Sequence, residues 1–105
     1  MQRIIRETEE IAYRYLGEFG FSKDEISPLV STGKKDLEAN LIKLKALINS
    51  GQICTDEINN TLHALKGLFF HLGNTEVAKE LNEIRSDLDN KASIEKIKHL
   101  LFSDI

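Results

Sequence analysis

From Ile4 to Leu101 the apolar side chains return at intervals of three and four, and no stretch alternates β-branched or aromatic residues with polar ones as a strand does. That period turns one stripe of each segment toward a common core and restricts the chain to helices. At 105 residues the chain is long enough for one such core and too short for two, so a single domain is expected over 1–105.

The stripes give the order of the elements. Ile4, Thr8, Ile11, Tyr15 and Phe19, flanked by Ile5, Ala12 and Leu16, predict a first helix over about 2–19, weakened by Gly17 and Gly20 near its end. The stretch Phe21 to Gly33 gathers Ser22, the only proline (Pro28), Ser31, Thr32 and Gly33 around Ile26, Leu29 and Val30. It is read as a connection with about one helical turn. Leu37, Leu41, Leu44 and Ile48 mark a second helix from Lys34 to Asn49, stopped by Ser50-Gly51.

Thr55 is the expected cap of a central helix, with Asp56 and Glu57 well placed against its dipole. Its buried stripe is Ile58, Leu62, Leu65, Phe69 and Leu72, and Gly73 ends it. Asn74 or Thr75 caps a fourth helix with the stripe Val77, Leu81, Ile84 and Leu88. Asp89-Asn90 then separates it from a short fifth helix carrying Ile94, Ile97 and Leu101. The expectation is an all-α fold, an antiparallel four-helix bundle with a short additional C-terminal helix, its core over about 34–101.

Composition narrows the function. No run approaches the roughly 20 apolar residues that span a bilayer, and Met1-Gln2-Arg3 leads into alternating charge, unlike a secretion signal. A soluble cytoplasmic protein is expected, with no membrane partner. The net charge is −3, and Lys34, Lys35, Lys43 and Lys45 are interleaved with acids such as Asp36 and Glu38. They form no one-signed stripe, which argues against a nucleic-acid partner and reads as a solvated helix face. The single cysteine, Cys54, excludes an internal disulfide and is expected to be buried or half-buried in a linker. No cluster has the spacing of a zinc site, so no metal or other cofactor is expected on the chain.

One residue stands apart from this structural pattern. On the central helix His63 projects roughly 140° from the core stripe, Gly67 roughly 180° and Lys66 roughly 80°. An exposed imidazole therefore has a bare backbone patch and an ammonium beside it. A glycine inside a helix costs about 1 kcal/mol relative to alanine, and Gly67 is well short of the helix end, so something must compensate. Steric access does: without a side chain one turn from His63, another protein or a tetrahedral phosphoryl group can approach the ring, and Lys66 offsets its charge. His71 and His99 have no such companions and read as solvated.

Thr61-Leu62-His63-Ala64-Leu65-Lys66-Gly67, followed by Leu72-Gly73, resembles the H-x-x-K-G pattern of the histidine-containing phosphotransfer domains of two-component phosphorelays. The resemblance covers roughly Lys34 to Leu88. It implies that His63 is phosphorylated on the ring nitrogen farther from the backbone, with Lys66 assisting and Gly67 giving access. It also implies that response-regulator receiver domains, or a hybrid sensor histidine kinase, supply and take the phosphoryl group, with magnesium on the receiver. The chain has no nucleotide-binding loop of its own and is expected to be a phosphoryl carrier without ATP-dependent kinase activity. A monomer is expected.

Geometry extends the site. His63 and Arg85 lie equally far in sequence on either side of Asn74, so an antiparallel hairpin brings them level, and Arg85 with Asn82 should border the histidine. Members of the family often carry glutamine or glutamate where Arg85 stands, accepting a bond from the nearer ring nitrogen. Arginine cannot accept one. Arg85 is therefore expected to meet the phosphoryl group or the receiver, leaving Asn82 as the acceptor. Phe70, near the exposed face, is either an anchor for a receiver or packed against the first helix. Two other functions fit the same sequence: a phosphotransfer module of a larger sensor or chemotaxis kinase, and a helical adaptor that binds receivers without being phosphorylated.

Overall fold

The computed structural model describes residues 1–104, and among them every regular element is helical. Five helices follow one another: α1 (Gln2–Glu18), α2 (Lys23–Ile48), α3 (Thr55–His71), α4 (Thr75–Arg85) and α5 (Lys91–Phe102). Each packs on its neighbour in sequence from α1 to α5, except that the link between α1 and α5 closes the ring. Arg3 makes that closure, donating from Nε to the Ser103 carbonyl at 2.6 Å and from Nη2 to the Leu100 carbonyl at 2.7 Å. Two of the carbonyls that a helix end leaves without a partner are satisfied in this way.

The largest departure from the sequence reading is in the stretch 21–33, where all but Phe21 and the capping Ser22 are not a connection but the start of α2. Ser22 caps the helix: its Oγ accepts from the Glu25 amide at 3.2 Å, and its own amide donates to Glu25 Oε1 at 3.0 Å. This reciprocal pair satisfies two amides at the helix start. Pro28 lies inside the helix and offers no N–H to the Asp24 carbonyl, but both residues are exposed and water can take the place of that bond. Ile26 and Val30 are buried while Leu29 is 52% exposed, so the helical period continues through the segment. Gly33 is needed by the packing: a Cβ there would stand 2.8 Å from the Leu72 side chain.

The carboxyl of Glu25 is held below its ordinary value, first by the Ser22 amide and then by the Ser22 hydroxyl. A lowered folded value means that this support for α2 is present above the ordinary carboxylate range of about 4 and is lost as the pH falls through the folded value. Glu25→Gln, uncharged at every pH, is therefore expected to lower the urea midpoint slightly at neutral pH and so to flatten the acid limb of its plot against pH.

The remaining boundaries differ by less. α3 starts behind Cys54, which occupies the cap position without a side-chain bond and is exposed, neither capped by Thr55 nor half-buried as expected. Its stripe is the one the period gives: Ile58, Leu62, Leu65, Phe69 and Leu72 are all buried. Gly73 makes the turn at φ +87°, where a Cβ would also collide with the Tyr15 ring. Asn74 then caps α4, accepting from the Val77 amide and donating to Thr8 Oγ1 at 3.0 Å, both side chains being buried.

α4 ends at Arg85, earlier than its apolar spacing suggests, because Ser86 bonds back to the Glu83 carbonyl and residues 86–89 form a turn that leaves Leu88 half-buried outside the helix. α5, at 12 residues, is one residue longer than α4 and buries Ile97 and Leu101 completely. On α1 the buried residues are Ile4, Ile5, Thr8 and Ala12; Phe19 is 64% exposed, so the stripe lies one position to the side of the one expected.

Candidate functional site

The hairpin of α3 and α4 sets the site. With Ile58, Leu62, Leu65 and Phe69 locked into the core, the opposite side of α3 carries His63 and the neighbouring flank Lys66 and Gly67. The turn at Gly73-Asn74 folds α4 back alongside, and Arg85 reaches His63 as the count of residues from the turn requires. Its Nη1 lies 3.0 Å from His63 Nδ1.

The same guanidinium is braced from the other side. Arg85 Nε donates to Asn59 Oδ1 at 2.9 Å. Asn59, which the sequence motif leaves unmarked, stands one turn before His63 on the same face of α3 and so within reach of the residue that borders the histidine. Its spacing could have named it. Asn82, expected as the acceptor for the ring, makes no hydrogen bond to His63 among the described residues and lies instead in a neighbouring groove.

That groove, about 420 Å³ in volume, runs between α3 and α4 and is lined by Lys66, Gly67, Phe70, Thr75, Ala78, Lys79 and Asn82. Ala78 is buried, and a Cβ added at Gly67 would meet nothing within 4 Å. Gly67 is thus not required by the chain's own packing, unlike Gly33 and Gly73. Phe70 is 57% exposed and meets the His71 ring edge-on at 6.1 Å, so it is not packed away beneath α1. Among the described residues the only ionisable ones lining the groove are Lys66 and Lys79, which favours an anion there, one turn along α3 from His63.

A larger concavity of about 660 Å³ between α4 and α5 is lined by Glu80, Glu83, Asp87 and Glu95 as well as Lys96 and His99. Its carboxylates oppose an anionic ligand, and neither His63 nor Arg85 borders it. His71 and His99 are exposed, and neither borders the groove lined by Lys66 and Gly67. Lys34 pairs with Glu9 across α1 and α2 at 2.8 Å, in keeping with a solvated face. Among the described residues no group of three or more His, Cys, Asp or Glu side chains could hold a metal ion, and no helix is long and apolar enough to cross a membrane.

No protein-family model, curated protein or solved structure matches the chain. The functional reading therefore rests on the site itself.

Because Gly67 stands in open space, Gly67→Ala is expected to raise stability by about 1 kcal/mol through helix propensity alone, measurable as a higher urea midpoint with an unchanged slope. A larger side chain, Gly67→Leu, should fill the groove without unfolding the chain. A loss of stability in either variant would show that the backbone at Gly67 is needed in a way that the open space around it does not account for.

Proposed function

We propose that the chain is a histidine phosphotransfer domain, a phosphorelay intermediate that accepts a phosphoryl group on His63 from a receiver aspartate and passes it to another receiver. The observation that carries this reading is the unused space at Gly67. A helix-interior glycine that nothing in the chain requires stands one turn from an exposed histidine, beside Lys66 and a groove free of carboxylates. An approaching protein accounts for all of these together.

A neutral imidazole is a nucleophile near pH 7, and its phosphorylated form is a donor, so one ring serves both directions of a relay. Lys66 and Lys79 offset phosphoryl charge, and Phe70 gives the receiver an aromatic anchor at the edge of the groove. Magnesium and in-line positioning belong to the receiver. On this reading the helices form an antiparallel four-helix bundle with an additional C-terminal helix, one domain over 1–105, monomeric and cytoplasmic. The same geometry serves a module of a larger sensor or chemotaxis kinase, in which a separate catalytic domain phosphorylates His63.

The test is incubation of the purified chain with a panel of phosphorylated receivers and magnesium, followed by measurement of acid-labile, base-stable phosphate. Transfer to the chain is expected, and Gly67→Leu should reduce it at least about tenfold, the cost of roughly 1.4 kcal/mol of lost docking. Binding of receivers without transfer would favour the non-phosphorylated adaptor, the reading to which Arg85 gives some weight.

A further inference from the structure

We propose that Arg85, braced by Asn59, is a brake on His63: it holds the ring proton on Nε2 in the free chain and keeps Nδ1 unprotonated once Nε2 carries phosphate. The first half rests on geometry alone. The second half rests on the phosphotransfer reading.

Arg85 Nη1 lies 3.0 Å from Nδ1, and a guanidinium has only donors. Nδ1 must therefore present its lone pair. A neutral imidazole has one N–H, which is then on Nε2, the ring nitrogen that Arg85 does not engage. The bond from Arg85 Nε to Asn59 at 2.9 Å fixes the guanidinium in this orientation, with two of its donors committed to α3. A glutamine or glutamate in this place would do the reverse, its oxygen accepting a hydrogen bond from Nδ1–H and leaving the Nε2 lone pair free to attack.

The consequence follows from the proton balance. For Nε2 to form its bond to phosphorus, its proton must first pass to Nδ1 through water, and Arg85 must give up its contact. The P–O bond to the donor aspartate then breaks, with the electron pair staying on the carboxylate, and the ring keeps the Nδ1 proton until water removes it. Arg85 can then donate to Nδ1 again. The return step needs the opposite: the ring leaves phosphorus as neutral imidazole only if Nδ1 is reprotonated, since imidazolate is a poor leaving group. Acceptance, donation and hydrolysis are all opposed by the same bond. A charge-assisted hydrogen bond of this kind corresponds to about a tenfold change in rate. Arg85 is a positioning residue in this scheme, and the phosphorylated chain is a long-lived store.

The first experiment is a two-bond nitrogen–proton correlation of the His63 ring in isotopically labelled protein, at a pH where imidazoles are neutral. Wild type and Arg85→Lys, which can only donate, should show the proton on Nε2. Arg85→Gln, which can accept, should raise the Nδ1–H population. An unchanged tautomer ratio in Arg85→Gln overturns the proposal. The second experiment phosphorylates His63 with phosphoramidate, without any receiver, and follows the decay of phosphohistidine. Decay should be about tenfold faster in Arg85→Gln than in wild type, and equal or slower decay overturns the brake. If phosphoramidate leaves His63 unmodified, the phosphotransfer reading fails while the tautomer measurement still decides the role of Arg85.

Discussion

Replacing His63 with glutamine is expected to remove all acid-labile, base-stable phosphate from the chain when it is incubated with phosphorylated receivers and magnesium. Glutamine keeps the size and polarity of the side chain but has no ring nitrogen with a nucleophilic lone pair. His63 is exposed and contributes nothing to the core, so the variant should unfold at the wild-type urea concentration. Receiver binding should persist, because Lys66, Phe70 and the groove between them are untouched. Label remaining on His63→Gln would move the chemistry to His71 or His99, neither of which the geometry favours.

The second large effect is on stability. Phe69→Ala should cost about 3–5 kcal/mol, because Phe69 is fully buried and is among the largest such side chains in the chain. At roughly 4–8 °C per kcal/mol for a domain near this size, the midpoint of thermal unfolding falls by roughly 12–40 °C. Phe70→Ala, one position along, should leave the midpoint within about 4 °C of wild type, since surface substitutions are usually within about 0.5 kcal/mol, while weakening receiver binding. Adjacent phenylalanines thus separate folding from docking. Equal losses of stability in the two variants would mean that Phe70 is packed in solution and is no anchor.

The contrast between those two residues could be drawn from the sequence, because α3 carries an unbroken apolar period and its burial follows from that period alone. The same holds for the level placement of His63 and Arg85, which needs only a tight turn and equal spacing on either side of it. Residues 21–33 are different. Proline, glycine, serine and threonine each lower helix propensity, and read locally they outweigh Ile26 and Val30. Tertiary packing reverses that balance: the apolar pair is buried and Gly33 admits Leu72. A signal was nevertheless present, for Ser22-Lys23-Asp24-Glu25 has the spacing of a capping box. Within the site, the orientation of Arg85 could not be read in advance. Which nitrogen it meets depends on side-chain torsions and on Asn59, not on spacing.

Arg3 meets Ser103 and Leu100, so the two ends of the described chain lie side by side, while α3 and α4 give no residue to that junction. A polypeptide whose ends meet can be entered and left at one point. New termini opened at the exposed Ser50-Gly51 turn, with the old ones joined by a short linker, should therefore give a circular permutant that still carries His63 in place. Equally, the domain could be spliced into a surface loop of a host protein without prising the host apart.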